Sequence, residues 1–135
     1  MIKAGLIGYG YWGKLLAQYL EASSLFELSY IYSSKSTTPK GTSDIRSLFE
    51  KEIEAIFIAS PSSTHYDYTK TFLNEGKHVF CEKPLSSKTI EMEEVFDLAK
   101  VKNLALHINY IYLQSPSINF IKDSISQIGE MRHIE

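Results

Sequence analysis

The stretch Gly5-Leu6-Ile7-Gly8-Tyr9-Gly10-Tyr11-Trp12-Gly13 decides the fold of this 135-residue chain. Its glycine motif Gly8-x-Gly10-x-x-Gly13 directly follows the short apolar run Ala4 to Ile7 and precedes an amphipathic pattern, so a strand, a turn and a helix are predicted. In that setting Gly8 makes the tight turn, Gly10 lets a pyrophosphate approach the backbone, and Gly13 lets the helix pack close to the strand. The helix N-terminus then faces the phosphates. The motif predicts a dinucleotide-binding unit.

Composition excludes several classes of protein. The formal net charge is −2, so no basic field points to nucleic acid or to an anionic membrane. No apolar segment approaches the roughly 20 residues of a membrane span, and no secretory signal follows Met1. The single cysteine, Cys81, suits a reducing compartment, and the four histidines lack metal-site spacing. A cytoplasmic protein without a metal site is expected.

Short apolar runs alternate with helical patterns, which is typical of an α/β fold with a doubly wound parallel sheet of the Rossmann type. The predicted strands, in chain order, are Lys3–Ile7, Leu28–Tyr32, Ala55–Ala59, His78–Cys81 and Leu104–Ile108. The predicted helices are Trp12–Ala22, a short one near Asp44–Phe49, Tyr66–Asn74, Ser87–Lys100 and Ser117–Ser126. The expected sheet order is 3-2-1-4-5, with the third strand beside the second and the fourth beside the first.

Two segments interrupt this alternation. The polar stretch Ser33–Ser43 is interpreted as a surface loop, and Met131–Ile134 as the beginning of a further strand. We therefore expect a cofactor-binding domain over residues 1–126, and the start of a truncated second, α+β substrate domain over residues 127–135. Apolar residues such as Ile118, Ile121, Ile125 and Ile134 would then lack their cover, which favours self-association.

Cys81-Glu82-Lys83-Pro84-Leu85 follows the fourth strand, at the edge of the sheet where such folds bind ligands. A lysine there could exchange a proton with a substrate hydroxyl, and partial burial near a nicotinamide would lower its pKa. The X–Pro bond before Pro84 could be cis. Taken alone, a solvated Glu–Lys pair in a loop explains the motif as well.

Three segments together resemble one family in order and spacing. They are Gly8-Tyr9-Gly10-Tyr11-Trp12-Gly13-Lys14, Ile58-Ala59-Ser60-Pro61-Ser62-Ser63-Thr64-His65 and Gly76-Lys77-His78-Val79-Phe80-Cys81-Glu82-Lys83-Pro84-Leu85. The chain is similar over its whole length to the glucose–fructose oxidoreductase / inositol dehydrogenase / MocA-type NAD(P)-dependent oxidoreductases. The Glu-Lys-Pro segment is the most specific part of the resemblance.

The resemblance implies roles for matching residues only. Gly8, Gly10 and Gly13 would hold the pyrophosphate, Tyr11 and Trp12 would line the approach, and Ser60, Pro61 and His65 would border the cofactor. Glu82 would contact the nicotinamide ribose, and Lys83 would be the catalytic lysine. The Asn109-Tyr110 pair matches too, but a frequent neighbouring arginine is Ile111 here, so a substrate contact at that position is in doubt.

The end of the second strand bears on the choice of cofactor. An acidic residue there selects NAD, yet none occurs from Leu28 to Ser43. Ser33, Ser34 and Lys35 could instead hold a 2′-phosphate, which favours NADP, although an ordinary polar loop start explains them as well.

The leading hypothesis is the cofactor-binding domain of an oxidoreductase that moves hydride between nicotinamide and a carbinol carbon of a sugar, cyclitol or sugar derivative, in a homo-oligomer. One alternative is a non-catalytic dinucleotide-binding or redox-sensing module. Another is a methyltransferase that uses the glycine loop for S-adenosylmethionine, although the Ser60-Pro61 and Glu82-Lys83-Pro84 turns have no role there.

Overall fold

The computed structural model describes residues 1–33 and 38–129. The strands are β1 (Ile2–Ile7), β2 (Phe26–Tyr32), β3 (Gly41–Thr42), β4 (Ala55–Ile58), β5 (His78–Cys81) and β6 (Leu106–Ile108). The α-helices are α1 (Tyr11–Ala22), α2 (His65–Asn74), α3 (Thr89–Val101) and α4 (Pro116–Ser124). Short 3-10 helices span Ile45–Phe49, Ser62–Thr64, Ile111–Gln114 and Ile125–Ile128. The six strands form one parallel sheet in the order β3-β2-β1-β4-β5-β6, which confirms the Rossmann-type α/β fold.

Hydrophobic clusters cover both faces of this sheet, because alternate residues of each strand point to opposite faces. One cluster joins Ile56 and Ile58 of β4 to buried residues of α2 and α3. The other joins Ala55 and Phe57 to Ala17 of α1. Helices therefore pack on both faces, as in doubly wound sheets with nearly continuous apolar strands.

The predicted neighbour of the second strand is wrong. The segment Ala55–Ile58 pairs with β1, in the register Ala4 opposite Ala55, and β2 pairs instead with the two-residue strand Gly41–Thr42. That short strand lies inside the predicted loop Ser33–Ser43. It pairs with the backbone hydrogen-bonding groups on the outer edge of β2. The next strand along the chain, β4, therefore crosses over to the free edge of β1.

Helix boundaries and faces also differ in places. The third α-helix begins at Thr89 rather than Ser87, and Ser86 Oγ accepts the Lys88 backbone N–H at 3.0 Å. The helical patterns of Trp12–Ala22 and Ser87–Lys100 predict Tyr19 and Ile90 on the apolar faces, but these side chains are 73% and 70% exposed. Helical spacing alone therefore did not identify which large side chains of these helices pack against the sheet.

Lys77 links the turn before β5 to the segment before β4. Its ammonium donates to the carbonyl oxygens of Glu50 (2.8 Å) and Ile53 (2.6 Å), and the residue is almost fully buried. Burial lowers the pKa of this lysine from its ordinary value. The two contacts satisfy carbonyls at the end of the 3-10 helix Ile45–Phe49.

After β6 the chain carries exposed apolar residues, including Ile111, Leu113, Ile118, Phe120 and Ile121. Ile125 is half-buried, and Ile134 and the predicted strand Met131–Ile134 lie outside the described residues. The division at residues 126 and 127 stays a prediction. Across the described ranges, no helix has the length and apolar character needed to span a bilayer.

Candidate dinucleotide-binding site

The glycine turn joins β1 to α1 through two close backbone approaches. Gly8 has φ +91°, and its N–H donates to the Tyr32 carbonyl at 2.9 Å. A Cβ on Gly8 would lie 2.5 Å from the Ala59 carbonyl oxygen, and a Cβ on Gly13 would lie 2.1 Å from the Gly8 carbonyl oxygen. Glycine is therefore required at Gly8 and Gly13 by the fold itself.

Gly10 is different, because a Cβ there would meet no protein atom within 4 Å. Gly10 caps α1 with an extended backbone, and no side chain of the described residues caps the first turn. That turn also carries no acidic residue, so its free N–H groups and the positive end of the helix dipole are available to an anion.

A cleft of about 480 Å³, here called the phosphate cleft, opens above this turn. It lies at the carboxyl ends of β1, β2 and β4, where open parallel sheets bind ligands. The residues that line it are Ile7, Gly8, Tyr9, Gly10, Tyr11, Trp12, Tyr32, Ser33, Ala59, Ser60, Pro61 and Tyr68. Seven of the predicted cofactor residues line this one cleft, namely Gly8, Gly10, Tyr11, Trp12, Ser33, Ser60 and Pro61. Gly13 does not line it but packs against the Gly8 carbonyl.

Tyr32 and Tyr68 were missed as site residues by sequence reasoning. Tyr32 ends β2 beside Ser33, and Tyr68 comes from the first turns of α2, yet both line the phosphate cleft. Burial, together with the neighbouring Tyr32, raises the pKa of Tyr68. The position of Tyr68 one turn after His65 could have signalled this, since residues three apart lie on the same helix face.

Ser60, Pro61 and Thr64 form a hydrogen-bonded turn after β4. The Ser60 and Thr64 hydroxyls lie 2.7 Å apart, and the Thr64 hydroxyl and backbone N–H both lie within 2.9 Å of the Pro61 carbonyl. His65 follows and is 2% exposed. It lines neither cleft, so its predicted contact with a cofactor is not direct in this structure.

The Glu82-Lys83-Pro84 turn separates its two charged residues. Glu82 is 9% exposed, and its carboxylate Oε1 accepts the Asn109 side-chain N–H at 2.8 Å. Lys83 is exposed rather than partly buried, and the Lys83–Pro84 peptide bond is cis. Glu82 and Lys83 are thus held at the same strand end with different surroundings.

A second cleft of about 610 Å³, here called the lysine cleft, contains these groups. Its walls are Trp12, Glu82, Lys83, Asn109, Tyr110, Ile111, Tyr112 and Leu113. Trp12 lines both clefts, so they adjoin at the start of α1. Most of the lysine-cleft wall is aromatic or aliphatic, and Ile111 adds apolar surface where an arginine was expected.

Two of the predicted cofactor residues, Ser34 and Lys35, lie outside the described residues. No group of three metal-ligating side chains forms in the part of the chain that the structure describes. The described residues of the site offer backbone N–H groups, hydroxyls, the Asn109 amide, the nearly buried Glu82 carboxylate and the Lys83 ammonium.

The fold and the adjoining clefts define a Rossmann domain of the dinucleotide-binding class. Residues 2–110 match the family model GFO_IDH_MocA, described as an oxidoreductase family with an NAD-binding Rossmann fold. The chain belongs to this family. The match to a family of oxidoreductases argues against the methyltransferase alternative.

Named relatives include dehydrogenases and reductases. The chain is 29% identical to scyllo-inositol 2-dehydrogenase (NADP(+)) IolU of Bacillus subtilis, across 98% of this chain and 44% of that protein. It is 36% identical to human biliverdin reductase A, across 58% of this chain and 26% of that protein. These names support an oxidoreductase over the non-catalytic module.

Among solved structures, the chain resembles KijD10, a 3-ketoreductase from Actinomadura kijaniata in complex with NADP and TDP-benzene. The TM-score is 0.79 at 25% identity, across 93% of this chain and 42% of that one. The chain thus spans less than half the length of the relatives named here.

Proposed function

We propose that this chain is the cofactor-binding domain of an NAD(P)-dependent oxidoreductase that acts on a carbinol carbon of a sugar, cyclitol or sugar derivative. The observation that carries the proposal is the pair of adjoining clefts with Trp12 in common. One presents the glycine turn and a free helix N-terminus, and the other presents Lys83. The inositol dehydrogenase and 3-ketoreductase named above support this substrate class.

The residues present fit a nicotinamide dinucleotide. Gly8, Gly10 and the first N–H groups of α1 would hold the pyrophosphate, and Gly10 leaves room for it because no protein atom faces its Cα. When bound, the nicotinamide supplies the hydride acceptor or donor. Glu82, fixed by Asn109, would bind the ribose next to the nicotinamide.

Lys83 is proposed as the catalytic residue. Oxidation of a carbinol requires that the hydroxyl proton leave as the carbonyl forms, and reduction requires that it return. Lys83 is exposed at the end of β5 on the wall of the lysine cleft, where its neutral amine could take the hydroxyl proton in oxidation and its ammonium could return that proton in reduction. His65 is retained in the site, but through the backbone contacts argued below.

NADP is the proposed cofactor form. Ser33 lines the phosphate cleft at the end of β2, and no acidic residue occurs from Leu28 to Ser43 to repel a 2′-phosphate. Ser34 and Lys35 complete the proposed phosphate contacts. Titration of the 135-residue chain with NADPH and NADH, followed by nicotinamide fluorescence, tests both steps. Tighter binding of NADH would overturn the preference, and binding of neither would overturn the proposed function.

We also propose a homo-oligomer in the cytoplasm. The exposed apolar residues Ile111, Leu113, Ile118, Phe120 and Ile121 support self-association, because patches of this kind favour protein contacts. The single buried cysteine and the acidic balance support the location and the absence of a nucleic-acid partner. Sedimentation across a wide concentration range tests the assembly, and a monomer throughout would contradict it.

A further inference from the structure

His65 joins the two turns that border the clefts. Its Nδ1 lies 2.7 Å from the Pro84 carbonyl oxygen, and its Nε2 lies 2.8 Å from the Ser60 carbonyl oxygen. Because a carbonyl only accepts, the ring is the donor: the neutral ring donates one bond and the imidazolium donates both. The ring is enclosed, with 2% exposure.

These two turns carry different parts of the site. Ser60 lines the phosphate cleft, whereas Pro84 directly follows Lys83 of the lysine cleft. Within the described chain, the backbone bonds between β4 and β5 continue to the Glu82 N–H, which donates to the Ile58 carbonyl at 2.9 Å. Past that bond, His65 donors link the two turns of the described chain through the Pro84 and Ser60 carbonyls.

We propose that His65 is a positioning residue that sets the distance between the two turns, and hence between the nicotinamide and Lys83. This inference rests on the proposed function. His65 lines neither cleft, so it acts through the backbone rather than by touching the cofactor. Two nitrogens that point in different directions from one rigid ring suit the task, whereas an amide side chain carries both its donor hydrogens on one nitrogen.

The role predicts that the two ends of a dinucleotide respond differently. The adenosine end would lie against Gly8, Tyr32 and Ser33, whereas the two ring nitrogens of His65 bond to the Pro84 and Ser60 carbonyls. The nicotinamide end depends on the turn that His65 holds. Loss of the imidazole should therefore weaken the binding of the nicotinamide end and leave the binding of the adenosine fragment nearly unchanged.

The experiment compares His65→Phe, which keeps an aromatic ring without donors, with His65→Asn and with His78→Phe as a matched control. His78 lies at the opposite end of β5, and its Nδ1 accepts the Ala105 N–H at 2.9 Å. Each variant of the 135-residue chain is titrated with NADPH and with 2′,5′-ADP, or with NADH and 5′-ADP if the wild-type chain prefers NADH. The emission of bound nicotinamide is recorded alongside.

We expect His65→Phe to weaken dinucleotide binding about tenfold, to shift the bound nicotinamide emission toward that of the free cofactor, and to bind the adenosine fragment within about threefold of wild type. His65→Asn should be intermediate, and His78→Phe should match wild type. If His65→Phe weakened the binding of the adenosine fragment and of the dinucleotide equally, or weakened neither, the positioning role would be overturned. The proposed function would still stand, provided that the wild-type chain binds the dinucleotide.

Amide hydrogen exchange gives a readout that needs no ligand. In His65→Phe, the Glu82 amide at the junction of the two turns should exchange at least about tenfold faster, while the Gly8 amide, bonded to Tyr32, keeps its protection. Unchanged exchange at Glu82 would overturn the inference. If His65→Phe does not fold, the same comparison is made on His65→Asn. Failure of wild-type chain to bind any dinucleotide would instead overturn the proposed function, and this role with it.

Discussion

Gly10→Ala separates binding from folding more cleanly than any other change in the glycine turn. The backbone at Gly10 has φ −76° and ψ −160°, which alanine adopts without strain. The added methyl group would meet no protein atom within 4 Å, so it projects into open space at the start of α1. That space is where a pyrophosphate must approach the backbone.

The two expected effects differ in size. Alanine is a poorer N-cap than glycine, at a cost of up to about 1 kcal/mol. The smaller entropy of the unfolded chain offsets about 0.4–1 kcal/mol of this. The net change in the free energy of unfolding is therefore within about 1 kcal/mol. Losing one hydrogen bond to a charged phosphate costs about 1.5–3 kcal/mol, so NADPH should bind about 10- to 150-fold more weakly.

The assay pairs thermal unfolding with fluorescence titration of NADPH and NADH. Gly13→Ala is the contrasting variant, because its methyl group would lie 2.1 Å from the Gly8 carbonyl oxygen and should destabilise the fold itself. Wild-type affinity in Gly10→Ala would refute the proposed approach of the pyrophosphate. A large loss of stability in Gly10→Ala would refute the argument that its surroundings are empty.

Three further changes test the fold and the chemistry. Burial raises the pKa of the Cys81 thiol to about 12 from an ordinary 9.0. As the pH rises above 9, the thiol therefore ionises in the unfolded chain before it does so in the folded chain. Between pH 9 and 10.5, denaturant titrations should show that wild type loses about 2 kcal/mol of unfolding free energy relative to Cys81→Ala. Parallel pH profiles of the two proteins would contradict this. Lys77→Met should lower the free energy of unfolding by about 1–3 kcal/mol, because two carbonyls lose their buried donor. Lys51 is exposed, so Lys51→Met should not change this free energy. Equal urea midpoints for the two variants would contradict the prediction. In a catalytically active form of the protein, Lys83→Ala should lower kcat about 10²- to 10⁴-fold with cofactor affinity within several-fold, and Lys83→Arg should not restore it; near-normal turnover would leave Lys83 structural.

Local geometry explains which features the sequence could predict. Gly8 and Gly13 could be predicted from the sequence because each position requires glycine for a local reason. Gly8 has a positive φ, and a Cβ on Gly13 would lie 2.1 Å from a backbone oxygen. The apolar strand β4 is legible because its four residues are all buried. The position of β4 in the sheet could not be predicted, because the place beside β2 is taken by the strand Gly41–Thr42. That strand has only two residues and lies in a polar stretch.

Contacts between distant residues explain what remained hidden. Tyr68 reaches the phosphate cleft because α2 packs behind the turn after β4, and its spacing of three residues from His65 is the one local signal of that position in the sequence. His65 is 19 residues from Pro84, and Asn109 is 27 residues from Glu82. Such pairs depend on the assembled sheet, which brings the ends of separate strands to one edge.

The motif Glu82-Lys83 gains its meaning from this assembly. In the sequence the two charges look like one surface pair, but on the lysine cleft Asn109 holds the Glu82 carboxylate in a nearly buried position, whereas Lys83 is exposed. No ion pair to Lys83 forms among the described residues. The assembled sheet therefore gives these two neighbouring residues different surroundings, and this difference supports the proposal that the carboxylate binds the cofactor while the ammonium faces the substrate.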